Sequence, residues 1–116
     1  MKDYNEIKKE VETDYPETCQ MLKDLLEEEY KLFINKQYDY GTGNISVGQD
    51  LSKDDGRLVA TAGLVFRLND KVQRLINLVI KKRVSDAANE PIVDAWKDSS
   101  LYCKIAQIVD NGTWGK

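Results

Sequence analysis

Histidine is absent from this 116-residue chain. That removes Ser-His-Asp and Cys-His nucleophile systems and the usual zinc sites. Any chemistry must run on carboxylates, lysine, arginine, tyrosine or a hard cation such as Mg²⁺. The two cysteines, Cys19 and Cys103, lie far apart and form no C-x-x-C pair, so they read as reduced thiols packed in helices. No segment approaches the roughly 20 apolar residues of a membrane span. The opening "MKDYNEIKKEVE" is too charged for a secretory leader, so a soluble, cytoplasmic protein without membrane partners is expected. Positive charge is not in excess. Seventeen basic side chains stand against twenty acidic ones, a net charge of −3, which disfavours binding to a nucleic-acid polymer. What is present is ordinary for a globular chain, 41% hydrophobic and 32% charged, and enough for one domain with a modest core.

No segment alternates as a strand does, and helical periods recur. The reading is an all-α bundle of three main helices, residues 16–36, 57–83 and 90–111, plus short helical turns. Residues 1–14 form a polar lead-in with a helical turn carrying Ile7 and Val11. Pro16 suits a helix start. Leu22, Leu25, Leu26, Glu29 and Phe33 then follow at three- and four-residue steps, an apolar stripe with one interruption. Asp54 or Asp55 is expected to cap the middle helix, whose inner face would be Leu64, Leu68, Val72, Leu75 and Val79. Asn89 is the expected cap of the last helix, and Gly112 its stop. Projected at about 100° per residue, that helix carries Ile92, Ala95, Trp96, Cys103 and Ala106 on one side and Leu101, Ile105 and Ile108 nearly opposite. A helix apolar on both sides points to a homo-oligomer, a dimer or tetramer.

Three constellations carry possible chemistry. Glu90, Asp94 and Asp98 form an acidic ladder on the last helix, sharing a face with Leu101 and Ile105. Carboxylates in such a position need basic partners or a metal, although acids near a helix start are also simply favoured by its dipole. Arg67, Lys71 and Arg74, with Asp70 beside them, form a basic ladder at the edge of the apolar face. It reads either as salt bridges to the acids or as an anion site with arginine forking onto phosphate oxygens. The third is "KQYDYGTGNISVG". Gly41 and Gly43 permit backbone shapes that converge N–H groups, Asn44 or Ser46 could cap a following turn, and Tyr38 and Tyr40 offer faces for a base. The plain alternative is a helix connection with tyrosines packed on the core. The lysine and serine of a P-loop are missing.

Three segments in order, "FINKQYDYGTGNIS", "GLVFRLNDKVQRLINLV" and "NEPIVDAWKDSSLYCKIAQIV", resemble the nucleotide modification associated domain 1 family of small, mainly phage and prophage proteins. The likeness spans about Leu32 to Gly112. It implies nucleotides as the ligand class, a bacterial host cytoplasm as the location, and as site residues Lys36, Asp39, Tyr40, Gly41 and Asn44, then Arg67, Asp70, Lys71 and Arg74, then Glu90, Asp94, Asp98 and Tyr102.

Two mechanisms compete. One is a binding protein without catalysis or cofactor, sequestering a nucleotide second messenger such as a cyclic dinucleotide or cyclic ADP-ribose derivative. The other is an Mg²⁺-dependent all-α nucleoside triphosphate pyrophosphatase, with Glu90, Asp94 and Asp98 as metal ligands. Such an enzyme would resemble the MazG and dimeric dUTPase group, in which helices supply two acidic pairs, E-x-x-E and E-x-x-D, to hold the metal. Glu27, Glu28 and Glu29 are consecutive and point in different directions, so the second pair is missing. The binding reading is preferred, and a purely structural oligomer is the third possibility.

Overall fold

The computed structural model describes residues 1–83 and 91–116. Among them there is no strand. The helices are α1 (Tyr4–Asp14), α2 (Pro16–Tyr40), α3 (Gly43–Ser46), α4 (Asp54–Leu75), which runs into a π-helical segment Ile76–Ile80, and α5 (Ile92–Asn111). The expected cap Asn89 and the ligand candidate Glu90 lie outside the described residues. No described helix is long and apolar enough to cross a membrane. The chain divides into two units, Met1–Asn35 and Lys36–Lys116.

In the first unit the expected polar lead-in is a three-turn helix. The Asp3 carboxylate caps it, accepting the Glu6 N–H at 2.9 Å, and the sequence signal was available in Asp3-x-x-Glu6. Pro16 then separates α1 from α2. It brings no N–H to the ladder and disfavours helical backbone at Tyr15, which sits at φ −132°, ψ 60°. Glu12 and Lys23 pair at 2.7 Å between the two helices. No residue of α1 or α2 is buried. The expected apolar stripe exists as a helical face, but Leu22, Leu25 and Leu26 remain 58%, 40% and 47% exposed, and only Glu29 and Phe33 are half-buried.

The core belongs to the second unit, where α4 packs along α5 and α3 against α4. Its buried apolar residues are Ile45, Ala60, Leu64, Ala95, Leu101, Ile105, Val109 and Trp114. The buried row of α4 is Gly56, Ala60 and Leu64; of the expected Leu64-to-Val79 row, Leu64 is buried and Leu68 and Leu75 are half-buried. Val72 and Val79 are exposed. The row continues into half-buried Arg67 and Lys71, so a stripe fitted to apolar residues alone is rotated by roughly 70° around the helix. On α5 the side bearing Leu101 and Ile105 is the buried one, while Ile92, Trp96 and Cys103 on the other side are exposed.

Helix ends also differ from expectation. α2 continues one turn past Lys36 to Tyr40, because the residue able to leave the helix is Gly41 at φ +67°. Neither Asp54 nor Asp55 caps α4: both lie in its first turn and Lys53 is the cap. The expected helix to residue 83 changes at Ile76 to wider π turns, with the Lys81 N–H reaching the Ile76 carbonyl at 3.0 Å. Gly112 ends α5 as expected, at φ +85°. Its N–H bonds the Val109 carbonyl at 3.0 Å and the Thr113 N–H bonds that of Ile108 at 3.2 Å, which is the Schellman arrangement.

Candidate functional site

The charged rows of α4 and α5 meet. Along α4 the buried residues give way to Arg67, Lys71 and Arg74, and along α5 Ile105 and Leu101 give way, towards the N-terminus, to Asp98 and Asp94. Lys71 Nζ lies 3.0 Å from one Asp98 carboxylate oxygen, and both side chains are only 20% exposed. Lys36 Nζ, from α2 one turn before its end, lies 3.6 Å from the other oxygen. The first contact is a charge-assisted hydrogen bond, whereas the second is beyond hydrogen-bond range and acts through charge alone. One carboxylate thus holds two ammonium groups from different helices.

A second link ties α4 to the loop segment. Arg67 donates from Nη2 to the Asn44 carbonyl at 2.7 Å, and a cationic donor to a carbonyl is among the stronger neutral-acceptor bonds. Arg74 and Tyr102 are half-buried, one turn beyond Lys71 and Asp98 respectively. Asp94, one turn before Asp98, is half-buried too. Arg67, Lys71 and Arg74 on α4 and Asp94 and Asp98 on α5 are all half-buried, and Asp98 pairs with both Lys36 and Lys71.

The tyrosine-glycine segment is built differently from the expectation. Tyr38, Asp39 and Tyr40 are helical, in the last turn of α2, and exposed, the two tyrosines at 92% and 66%. Asp70 is exposed as well. Gly41 serves the helix end, its N–H bonding the Gln37 carbonyl at 2.9 Å. The amides of Ile45, Ser46 and Val47 bond the carbonyls of Thr42 and Gly43, so these N–H groups are not gathered for an anion. Thr42, not Asn44 or Ser46, caps α3, and without a side-chain hydrogen bond. Of the segment's candidates, Lys36 joins the cluster through Asp98 and Asn44 meets it through its backbone carbonyl.

Sequence reasoning missed the device that holds this loop. The Thr42 carbonyl accepts the Trp114 Nε1–H at 3.1 Å, and Trp114 is buried. It missed Gly56 too. A Cβ there would sit 2.1 Å from the Asp50 carbonyl oxygen, so the turn before α4 packs directly on the helix backbone. A glycine in the first turn of an otherwise good helix was the available signal. Asp50 shapes that turn, accepting the Ser52 Oγ–H at 2.6 Å and N–H at 3.0 Å. These bonds, the hydroxyl's foremost, hold its carboxyl below the usual range.

As to a metal, no group of three or more acidic or cysteine side chains is assembled among the described residues, and Asp98 is engaged by lysines. No family model matches the chain, and no curated protein or solved structure does so either. The likeness of its three motifs to the nucleotide modification associated family therefore stands on the sequence alone.

Proposed function

We propose that the second unit binds the phosphate of a nucleotide, and that the protein sequesters a nucleotide second messenger of the cyclic dinucleotide or cyclic ADP-ribose type rather than transforming it. The observation that carries this reading is the pairing of Lys36 and Lys71 on the single carboxylate of Asp98, with Arg67 one turn away. Ammonium groups brought together from two helices in this way are of a kind suited to phosphate oxygens. The motif resemblance points to the same ligand class, and in that setting a phage protein would counter a bacterial defence signal. Asn44 meets Arg67, Tyr102 follows Asp98 by one turn of α5, and the exposed faces of Tyr38 and Tyr40 are available to a base only if the ligand reaches over the end of α2.

Metal-dependent hydrolysis of a nucleoside triphosphate is the competing reaction. It would need Asp98 to exchange its lysines for Mg²⁺, with Asp94 and Glu90 alongside. Thermal stabilisation by a panel of cyclic and linear nucleotides, with and without Mg²⁺, separates the readings. Stabilisation by a cyclic nucleotide that is recovered intact supports sequestration. Pyrophosphate release from a triphosphate supports the enzyme. A panel without any shift leaves the charges a purely structural role. Arg67→Ala should weaken binding about tenfold, the scale of one charge-assisted hydrogen bond. Unchanged affinity removes Arg67 from the site.

A further inference from the structure

Helix α4 lies wholly in the second unit and is apolar on two sides. Gly56, Ala60 and Leu64 are its buried row. Leu58, Ala62, Val65, Asn69, Val72 and Ile76, at steps of four, three, four, three and four residues, trace a second line roughly 160° around the helix. Leu58, Val65 and Val72 are 67%, 60% and 41% exposed, and Phe66 beside them 70%. Ile80, four residues past Ile76 across the π turns, is 73% exposed. An open apolar row of this length marks an interaction surface. Alternating four- and three-residue steps, with one asparagine among apolar positions, are the seam of a coiled coil.

We infer that a second copy of this chain covers the row, its α4 packing antiparallel on this α4 about a two-fold axis at the level of Arg67. Leu58 then meets the copy's Ile76, Ala62 its Val72 and Val65 its Asn69, and each contact occurs twice. Charge selects this direction. On its outer side the start of the row is acidic: Asp54 is engaged by Arg57, and exposed Asp55 lies within roughly 60° of the line. Beyond the end of the row Lys81, Lys82 and Arg83 are exposed. Antiparallel pairing sets Asp55 of each copy beside those cations of the other and opposes the two helix dipoles. A parallel pair would put Asn69 against Asn69 but stack acid on acid and base on base at its ends. Lys53 and Asp70 stay outside the contact, since both lie roughly 120° or more from the line. Asn69 within the row also suits a facing helix better than lipid tails. The inference does not depend on the nucleotide reading.

The test uses the full chain. Light scattering after size exclusion at about 100 µM should give twice the 13.3 kDa of the chain, and the melting temperature should rise with protein concentration. In a background with Cys19 and Cys103 replaced by serine, Leu58→Cys mixed with Ile76→Cys should form a disulfide between copies. Ala62→Cys with Val72→Cys is the second pair, should either first variant lose its helical circular dichroism. Either variant alone should crosslink at least tenfold less. Asp55→Lys should weaken the dimer about fivefold, the scale of an exposed ion pair, and the added reversal of Lys81, Lys82 and Arg83 to glutamate should restore it. A monomer at that concentration overturns the inference. So does a Leu58→Cys chain that crosslinks efficiently to itself, which is the parallel arrangement, or a dimer in which neither mixed pair crosslinks. A monomer that co-floats with vesicles of phosphatidylglycerol and phosphatidylcholine assigns the row to a membrane and overturns it as well.

Discussion

Replacing Asp98 by asparagine keeps the side chain's shape and withdraws the charge that Lys36 and Lys71 share. Removing one partner of a buried ion pair costs about 3–5 kcal/mol, while exposed pairs are worth about 0–1 kcal/mol. With Asp98 and Lys71 each 20% exposed, the residual hydration of both groups brings the expected loss to about 2 kcal/mol. At about 2.1 cal/mol/K of unfolding entropy per residue, that lowers the melting temperature by about 8 °C if all 116 residues melt together, and by about 12 °C if the second unit melts alone. Scanning calorimetry reads this directly. A double-mutant cycle with Lys71→Met should return a coupling of at least about 0.5 kcal/mol. Anion affinity should move the other way, because the site loses a negative charge: inorganic phosphate or a nucleotide should bind Asp98→Asn more tightly, with a steeper salt dependence. A melting temperature within about 2 °C of the parent, or a cycle without coupling, refutes the view that Asp98 organises the cations.

Three further outcomes are expected. Gly56→Ala should destabilise by at least about 1–3 kcal/mol, the range for overpacking, because its Cβ would collide with the Asp50 backbone at 2.1 Å; an unchanged denaturant midpoint would contradict that packing. Val47 is β-branched yet left-handed, at φ 47° and ψ 42°, so Val47→Gly should stabilise by about 1 kcal/mol, read from the same titration. Asp50, through Ser52, and Glu12, through its hydrogen bond from Lys23, are both held below the usual carboxylate range. Folded-state values lower than unfolded ones give stability that is present above about pH 4 and is lost as pH falls through the folded values. The melting temperature should therefore decline on the acid side, and Asp50→Asn should flatten part of that limb; a variant with the parent's acid profile would show that Asp50 contributes nothing to it.

How much of this was legible in the sequence depends on what each residue answers to. Helix type and the Gly112 stop follow from local rules and were readable. The end of α2 was misplaced because Tyr38–Tyr40 look like loop residues, whereas the backbone obeys the next glycine. The inner face of α4 was misplaced because Arg67 and Lys71 were set at the edge of the stripe. They are half-buried with Asp98 of α5 pairing Lys71 and the Asn44 carbonyl accepting from Arg67, facts of tertiary pairing that no single-helix projection contains. The meeting of Lys71 and Asp98 was legible as a possibility, because acids on the buried side of α5 required cations from somewhere, but the approach of Lys36 to the same carboxylate was not. Trp114 holding Thr42 was not, since nothing local in either residue announces a partner 72 positions away.

That long reach has a consequence for how the second unit can come apart. The indole ties Thr42 to Trp114 across 72 positions, so the short helix after α2 and the segment beyond Gly112 are clasped to each other. Opening either end frees the other, and the two behave as one cooperative patch instead of two independent ends.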